Sequence, residues 1–319
     1  MKISITDTGS GIAEKFAQAI GAEVRGRYIY IPKNQGGGYI TGFSWGKELR
    51  MMVRNYYLNK AVFIERTNEL AEDQDDIVFL LTGVLPSLSK PEKKLFTEQA
   101  HVLICKHAVS SIMDIPSSTI FGSVTIAVSR RYLNQLFGNI QHPVAESILN
   151  AKDNFVFETD ISPEIVKAAS ELLCSPVPES LESQFYKLKC EELLCYTFAL
   201  LIRREAIPAK AMHIVDIKAI YAIKTHLQSN LAEAPNIEAL ARNGRMSEPK
   251  LRKLFKQTFG KGVFEYYQSL RMEKAAMLLK EKTMTVSEVG YQLGFTNLSH
   301  FSRVFEQHIG IKPKKYSAM

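Results

Sequence analysis

The chain is short of the residues that commit a protein to disulfide, metal or membrane chemistry. Four cysteines, Cys105, Cys174, Cys190 and Cys195, stand in 319 residues. They form no C-x-x-C pair and have no metal-ligand spacing nearby. In a reducing compartment such residues are expected to be small buried apolar groups. No run of about 18 apolar residues occurs, which argues against a membrane-spanning helix. The opening MKISITDTGSGIAEKF lacks the basic-then-apolar order of a secretory leader. The expected location is therefore the cytoplasm. Disorder is also disfavoured, since 46% of residues are hydrophobic and 23% charged. The length is enough for two domains with ordinary cores.

Charge is unevenly spread. Residues 213–319 hold 17 Lys and Arg against 9 Asp and Glu, whereas residues 1–212 hold 23 against 24. The whole positive excess lies in the last third, the distribution of a nucleic-acid-binding module attached to a neutral partner domain.

The first 130 or so residues read as strands. GRYIYIP, ELRMMVRNYYL, KAVFIER, DIVFLLTG, HVLICKHAV and GSVTIAV are rich in Val, Ile, Phe and Tyr. NQGGG, TGFSWGK and AEDQDD read as the turns between them. Strands at this spacing predict an antiparallel sandwich or small barrel of cupin-like kind, able to hold one small ligand. Beyond about residue 160 the pattern becomes helical. SPEIVKAASELL has Ser162 as N-cap and Pro163 at the first helical position, and CSPVP breaks it. SLESQFYKLKCEELLCYTFALLIRR follows as a longer helix with Phe185, Leu188, Leu193, Leu194 and Leu201 on an apolar face. EAIPAK, residues 205–210, reads as a linker. The expected fold class is α+β. Its parts are a β-rich sensing domain over 1–160, a helical dimerisation or linker segment over 161–212, and an all-α domain over 213–319.

That last domain contains a repeat. SEPKLRKLFKQTFG (247–260) aligns with NLSHFSRVFEQHIG (297–310) at an offset of 50 residues. Phe255, Gln257 and Gly260 match Phe305, Gln307 and Gly310 identically. IEALA (237–241) matches VSEVG (286–290) upstream. Each copy reads as a helix–turn–helix. In the second, Thr285 and Glu288 have capping-box spacing and Gly294 suits a left-handed helix end. Asn297 caps the next helix, whose Leu298, Phe301, Val304, Phe305 and His308 form one apolar stripe. Asn297, Ser299, Ser302 and Arg303 are left outside. In the first, Asn236 and Ser247 are caps, Leu251, Leu254, Phe255 and Phe259 point inward, and Lys250, Arg252, Lys253 and Lys256 point outward. Such helices fit a major groove, where Arg and Lys donate to guanine and Asn pairs with adenine. Between the copies, VFEYYQSLRMEKAAMLLK has no Gly or Pro. As one helix it would be about 27 Å long, at about 1.5 Å per residue. That would set two reading helices roughly one DNA turn, ~34 Å, apart.

These residues carry a family resemblance. R-x-x-x-A-x-x-L-L at Arg271, Ala275, Leu278 and Leu279, then GF, FSRVF, G-I-K-P and Tyr316, resemble the DNA-binding domain of the AraC/XylS family of bacterial transcription regulators. The likeness is close over 213–319 and loose elsewhere. It implies DNA-facing positions at Pro249, Lys250, Arg252 and Lys253 in the first unit, and at Asn297, Leu298, Ser299 and Arg303 in the second. It also implies promoter DNA and RNA polymerase as partners, a homodimer, and a small-molecule effector. EPKLRKLFKQTFGKGVFEYYQ and KLKCEELL further resemble a subgroup answering to iron–siderophore complexes. Two departures stand out. Gly290 replaces the usual Ala, at roughly 1 kcal/mol in helix propensity. Pro249 offers no polar side-chain group, so the first helix is expected to bind backbone more than bases.

Three motifs lack their context. GFSWG (42–46) satisfies G-x-S-x-G, but a nucleophile elbow needs a strand–turn–helix in a parallel sheet. A hydrolase with nucleophile Ser44 and a DNA-binding tail is the remote alternative. His101 and His107 have no H-x-H and no third ligand. GGG (36–38) is expected as a hairpin or flexible loop. No catalytic residue, cofactor or metal is expected, and the chain is read as a regulator rather than an enzyme. A regulator without a small ligand, controlled by its abundance or a protein partner, is the nearer alternative.

Overall fold

Alternating apolar and polar residues in the first half of the chain fold as an antiparallel sheet that is apolar on one face. The computed structural model describes residues 2–7, 12–59, 62–68, 76–85, 96–97, 100–107, 109, 114–115, 119–173, 177–204 and 211–318. The chain divides into two compact units, Met1–Met212 and His213–Met319.

The first unit holds strands β1 (Lys2–Asp7), β2 (Glu23–Arg25), β3 (Tyr28–Tyr30), β4 (Gly36–Trp45), β5 (Leu49–Leu58), β6 (Val62–Asn68) and β7 (Asp76–Thr82). They are followed by β8 (Phe96–Thr97), β9 (His101–Lys106), β10 (Asp114–Ile115), β11 (Thr119–Ser129) and β12 (Val156–Asp160). Its helices are α1 (Ile12–Ile20), α2 (Arg130–Phe137), α3 (Pro143–Leu149), α4 (Pro163–Ser170) and α5 (Glu179–Ile202). The main sheet runs β12-β9-β7-β11-β5-β4-β3-β2, all antiparallel, with β8 beside β11 in parallel. A smaller sheet orders β1-β6-β10.

Leu49, Met51 and Val53 of β5, Ile77, Phe79 and Leu81 of β7, and Val124, Ile126 and Val128 of β11 line one face. Leu133, Ile148, Ile165, Tyr186, Leu194 and Phe198 from α2 to α5 cover it. The helical stretch after residue 160 therefore shares its core with the sheet. Ile29, Ile40, Tyr56, Leu58 and Phe121 form a second cluster with Phe16 and Ile20 of α1.

Every strand-like segment named from the sequence contains a strand, but the turns around them were read too generously. GGG and GFSW lie in β4, paired from Gly36 opposite Leu58 to Trp45 opposite Leu49. Glycine is needed there for close approach, since a Cβ on Gly36 would lie 1.9 Å from the Tyr57 carbonyl oxygen. Ser44 sits in this antiparallel strand and donates to the Gly46 carbonyl at 3.1 Å, away from any strand-to-helix elbow. His101 bonds through Nδ1 to the Thr82 hydroxyl at 2.8 Å. Among the described residues no three His, Cys, Asp or Glu side chains could hold a metal. Residues 71–75 of AEDQDD, Cys174 and the EAIPAK segment lie outside the described residues.

Ser162 and Pro163 open α4 as expected, the Ser162 hydroxyl accepting from Ile165 N at 3.4 Å. On α5 the inward face is Tyr186, Cys190, Leu193, Leu194, Thr197, Phe198 and Leu201. Leu188 was expected there but is 56% exposed, because it lies out of phase with these residues on the helix. Cys105 and Cys190 are buried, whereas Cys195 is exposed, against the expectation for a buried thiol. Burial pushes the Cys190 thiol well up.

Among the described residues, three ion pairs involve α5. Arg27 bonds Glu182 on its first turn, and Lys189 bonds Glu171 after α4 and Glu192 at 2.7 Å. Arg27 holds the Glu182 carboxyl below its ordinary value of 4.5, and Lys189 does the same for Glu171. A carboxyl lowered in the folded state adds stability that is complete above its unfolded pKa and lost as pH falls through the folded value. Thermal unfolding from about pH 7 downward should therefore hold level to about pH 5 and then decline, and Glu182→Gln should flatten part of the decline. An identical slope in that variant would remove the pair from the account.

Candidate nucleic-acid interface

The second unit is helical throughout its regular structure. It comprises α6 (Ile214–Ser229), α7 (Ile237–Asn243), α8 (Glu248–Phe259), α9 (Val263–Glu281), α10 (Val286–Gln292), α11 (Leu298–Ile309) and α12 (Pro313–Ser317). The caps read from the sequence are in place. Asn236 Oδ1 accepts from Ala239 N at 3.0 Å and Ser247 Oγ from Lys250 N at 3.4 Å. Thr285 and Glu288 close a capping box, with Glu288 accepting from Thr285 N at 2.7 Å and Thr285 from Glu288 N at 3.2 Å. The backbone bond from Thr285 holds the Glu288 carboxyl below its ordinary value.

The repeat identifies what each copy requires. Phe255 and Phe305 are both fully buried, and Gly260 and Gly310 end α8 and α11 at φ 72° and 86°. The correspondence continues further than the aligned segments. Tyr266 packs edge-on against Phe255 at 5.4 Å, and Tyr316 against Phe305 at 5.5 Å. These tyrosines keep the same 50-residue offset, so the repeat extends past Gly260 and Gly310. Gln257 is buried while its counterpart Gln307 is exposed, so that identity has no shared role.

Arg271 ties the second copy to α9. Its guanidinium, on a residue only 7% exposed, donates to the Leu293 carbonyl from Nε at 3.1 Å and Nη2 at 2.5 Å. It also stacks on Phe295 at 3.7 Å and bonds Gln268 at 2.8 Å. An orphan carbonyl at the end of α10 is thereby satisfied by a cation. Gly294 follows at φ 77°, and a Cβ there would lie 1.9 Å from the Ala232 carbonyl oxygen. Gly290 has a comparable reason. A Cβ would come within 2.8 Å of Leu298 Cδ2 and 3.2 Å of Phe301 Cδ1, so the bare position lets α11 settle on α10.

On α11, Phe301, Val304 and Phe305 are buried as expected. His308 is exposed at the end of the helix, its Nδ1 within 2.9 Å of the Val304 carbonyl, and does not continue the stripe. Leu298 is half-buried against Gly290, Ser302 is half-buried, and Ser299 and Arg303 are exposed. Asn297 is exposed but its Oδ1 accepts from Ser299 N at 2.9 Å and His300 N at 3.1 Å. A bidentate contact to adenine needs that oxygen as well as the amide nitrogen, so Asn297 is first a cap.

On α8 the basic residues are not equivalent. Lys250 pairs with Asp216 of α6 at 2.7 Å, and Arg252 pairs with Glu248 one turn back at 3.4 Å. Lys256 is half-buried, and Pro249 is exposed in the first turn. Lys253 and Arg303 are exposed and make no ion pair among the described residues. Spanning the copies, α9 is unbroken for 19 residues, about 28 Å at ~1.5 Å per residue.

Two capped helix pairs, each presenting a polar helix and joined by one continuous helix, define a double helix–turn–helix DNA-binding domain. A model described as a helix-turn-helix domain matches residues 240–319. The HTH-type transcriptional activator RhaR of Pectobacterium atrosepticum is 29% identical over 138 residues, 43% of this chain and 49% of that protein. RhaR of Yersinia pestis bv. Antiqua is 24% identical over 139 residues, 43% of this chain and 48% of that protein. The chain thus spans about half the length of the curated relatives it matches. Among solved structures, an AraC-type transcriptional regulator from Chromobacterium violaceum is 25% identical, covering 33% of this chain and 95% of that chain at a TM-score of 0.31. The DNA-binding domain of AdpA is 23% identical, covering 31% and 90% at a TM-score of 0.30.

Arg271→Met keeps the apolar stem but removes every donor. It should destabilise this unit by about 3 kcal/mol, the scale of hydrogen bonds from a charged group. Arg271→Lys should recover little, because an ammonium cannot both fork onto one carbonyl and stack. Denaturant unfolding of the full chain checks both, and wild-type stability in Arg271→Met would refute the assignment.

Proposed function

We propose that the chain is a sequence-specific transcription regulator that reads promoter DNA with α8 and α11. The observation that carries this reading is the pair of capped helices at the two ends of one continuous α9. Lys250, Arg252, Lys253 and Lys256 with Pro249 form the DNA-facing side of α8, and Asn297, Leu298, Ser299, Ser302 and Arg303 that of α11. Within these sets the roles divide. Lys250 and Arg252 keep acidic neighbours, so Lys253 is the principal phosphate contact of the first helix. Arg303 is the principal base reader of the second, since a guanidinium free of acidic partners can fork onto guanine.

The first unit acts as sensor and dimer contact. Leu181, Leu188 and Ile202 are 55%, 56% and 44% exposed, and with exposed Cys195 they recur every seven residues along α5. Residues seven apart lie along one line of a helix, one of the two positions per heptad by which a helix pairs with its counterpart in a second copy. The naming of RhaR as a transcriptional activator supports a regulatory output, and contact with RNA polymerase in the cytoplasm follows from that role.

Selection of bound sequences from random DNA should recover a two-part site with halves about one helical turn apart, doubled when the full chain dimerises. Arg303→Ala should lose about 1–3 kcal/mol on that site and relax its preference at one base pair. Lys253→Ala should weaken all sequences alike and reduce the salt slope by about 1. Unchanged binding of Arg303→Ala to both selected and scrambled DNA would end the assignment for α11.

A further inference from the structure

A cavity of about 130 Å³ lies within the first unit, between the β3–β4–β5 part of the sheet and the start of α5. Tyr28, Tyr39 and Tyr186 line it, with Val53, Leu172 and Leu173 as its aliphatic residues. At this volume it accommodates roughly one six-membered ring, since an apolar cavity of ~150 Å³ holds benzene. An iron–siderophore complex is far too large for it, as drug-sized ligands already need about 300 Å³ or more.

Polar groups make up most of the lining surface: the hydroxyls of Tyr28, Tyr39, Thr41 and Tyr186 and the Glu182 carboxylate. Thr41 is only 4% exposed, and its hydroxyl has no hydrogen-bond partner among the described residues. A buried hydroxyl without a partner is costly to keep, which points to a bound group that satisfies it. Glu182 Oε2 accepts from Arg27, and Oε1 has no hydrogen-bond partner among the described residues. The remaining hydroxyls are partly committed: Tyr28 accepts from Arg27 at 3.1 Å, and Tyr186 donates to the Leu172 carbonyl at 3.0 Å.

This inventory excludes charged ligands. Cations are excluded because Arg27 already lies over Phe43, Tyr28 and Tyr186 at 4.6, 5.0 and 5.6 Å. Anions would face the Glu182 carboxylate. We propose that this cavity binds a small neutral aromatic ring carrying a hydroxyl group, of phenol type. The ring stacks among the tyrosines, its O–H donates to Glu182 Oε1, and its oxygen accepts from Thr41. Resting on the reading of the first unit as sensor, such a ligand would be the effector. Glu182 and Tyr186 face the cavity, and their neighbours on α5 carry the exposed stripe, so occupancy would fix the first turns of the dimer helix.

The protein contains its own reporter. Trp45 is the single tryptophan in the sequence. Its indole N–H donates to Ser183, at 3.0 Å to Oγ and 3.2 Å to the carbonyl, and its ring stacks on Phe43 at 5.8 Å. Phe43 in turn stacks on Tyr186 at 4.2 Å. Trp45 emission of the full chain, excited where phenol does not absorb, should change saturably with phenol and at least tenfold more weakly with toluene. Thr41→Val, close in shape and so able to fold, should lose about tenfold in phenol affinity while keeping its response to toluene; Thr41→Ser should restore phenol binding. No saturable response to phenol, undiminished binding in Thr41→Val, or tighter binding of cyclohexanol than phenol would overturn the proposal. Phenol should also shift affinity for the selected DNA site several-fold. Binding without any such shift would overturn the effector role. Failure to bind phenol in a chain that still selects its DNA would leave the DNA-binding reading standing.

Discussion

A single buried guanidinium holds the DNA-binding unit in register. Arg271 projects from the middle of α9 and grips the carbonyl that ends α10, so the short helix is positioned by the long one rather than by its own stability. A helix of seven residues cannot persist alone in water. Its placement, and hence the angle at which α11 is offered, depends on this contact and on the glycines that let backbones meet. Burial draws the Arg271 pKa below the ordinary guanidinium value, but the group stays charged, and the carbonyl and the Phe295 ring compensate its lost hydration.

The two copies of the helix–turn–helix have diverged on their surfaces while keeping one interior. Buried phenylalanines, left-handed glycines and edge-on tyrosines recur at a fixed interval because they solve one packing problem twice. The outer faces obey no such constraint. The first copy carries four basic residues, Lys250 and Arg252 among them paired with acids in the same unit; the second carries short polar groups and one arginine without an ion pair among the described residues. A surface of the first kind suits orientation on phosphates, and one of the second kind suits approach to base edges.

This division also explains what the sequence made legible. Caps, the repeat and the length of α9 depend on local chemistry, on side chains that bond within four residues or stripes that recur every turn, and all three could be read directly. The α+β class was equally plain from the change of period near residue 160. Two kinds of feature were hidden. β4 resembles a string of turns because its glycines serve the neighbouring strand, and a pairing partner is invisible along one chain. Leu188 and His308 satisfy helical spacing within their segments, yet the phase that buries one face is set by what packs there. Among the interface residues, spacing identified the outward faces. It could not reveal that Asn297 gives its oxygen to a cap, or that Lys250 meets Asp216, which lies 34 positions earlier. The cavity beside Thr41 draws on β3, β4, β5 and α5, elements joined only by folding.

The unbroken α9 has a consequence for how such a protein can change. A helix turns by about 100° per residue, so adding or removing one residue within α9 would swing the outer face of α11 a quarter-turn or more about the α9 axis relative to that of α8. If both helices read DNA as proposed, compensation would require a matching change in the spacing of the two half-sites, and base pairs rotate in different increments from peptide units. The connector and its site are therefore locked in phase. Substitutions on the outer faces of α8 and α11 are the routes left open to new specificity, while the length of the helix between them is held fixed by the pitch of two different helices.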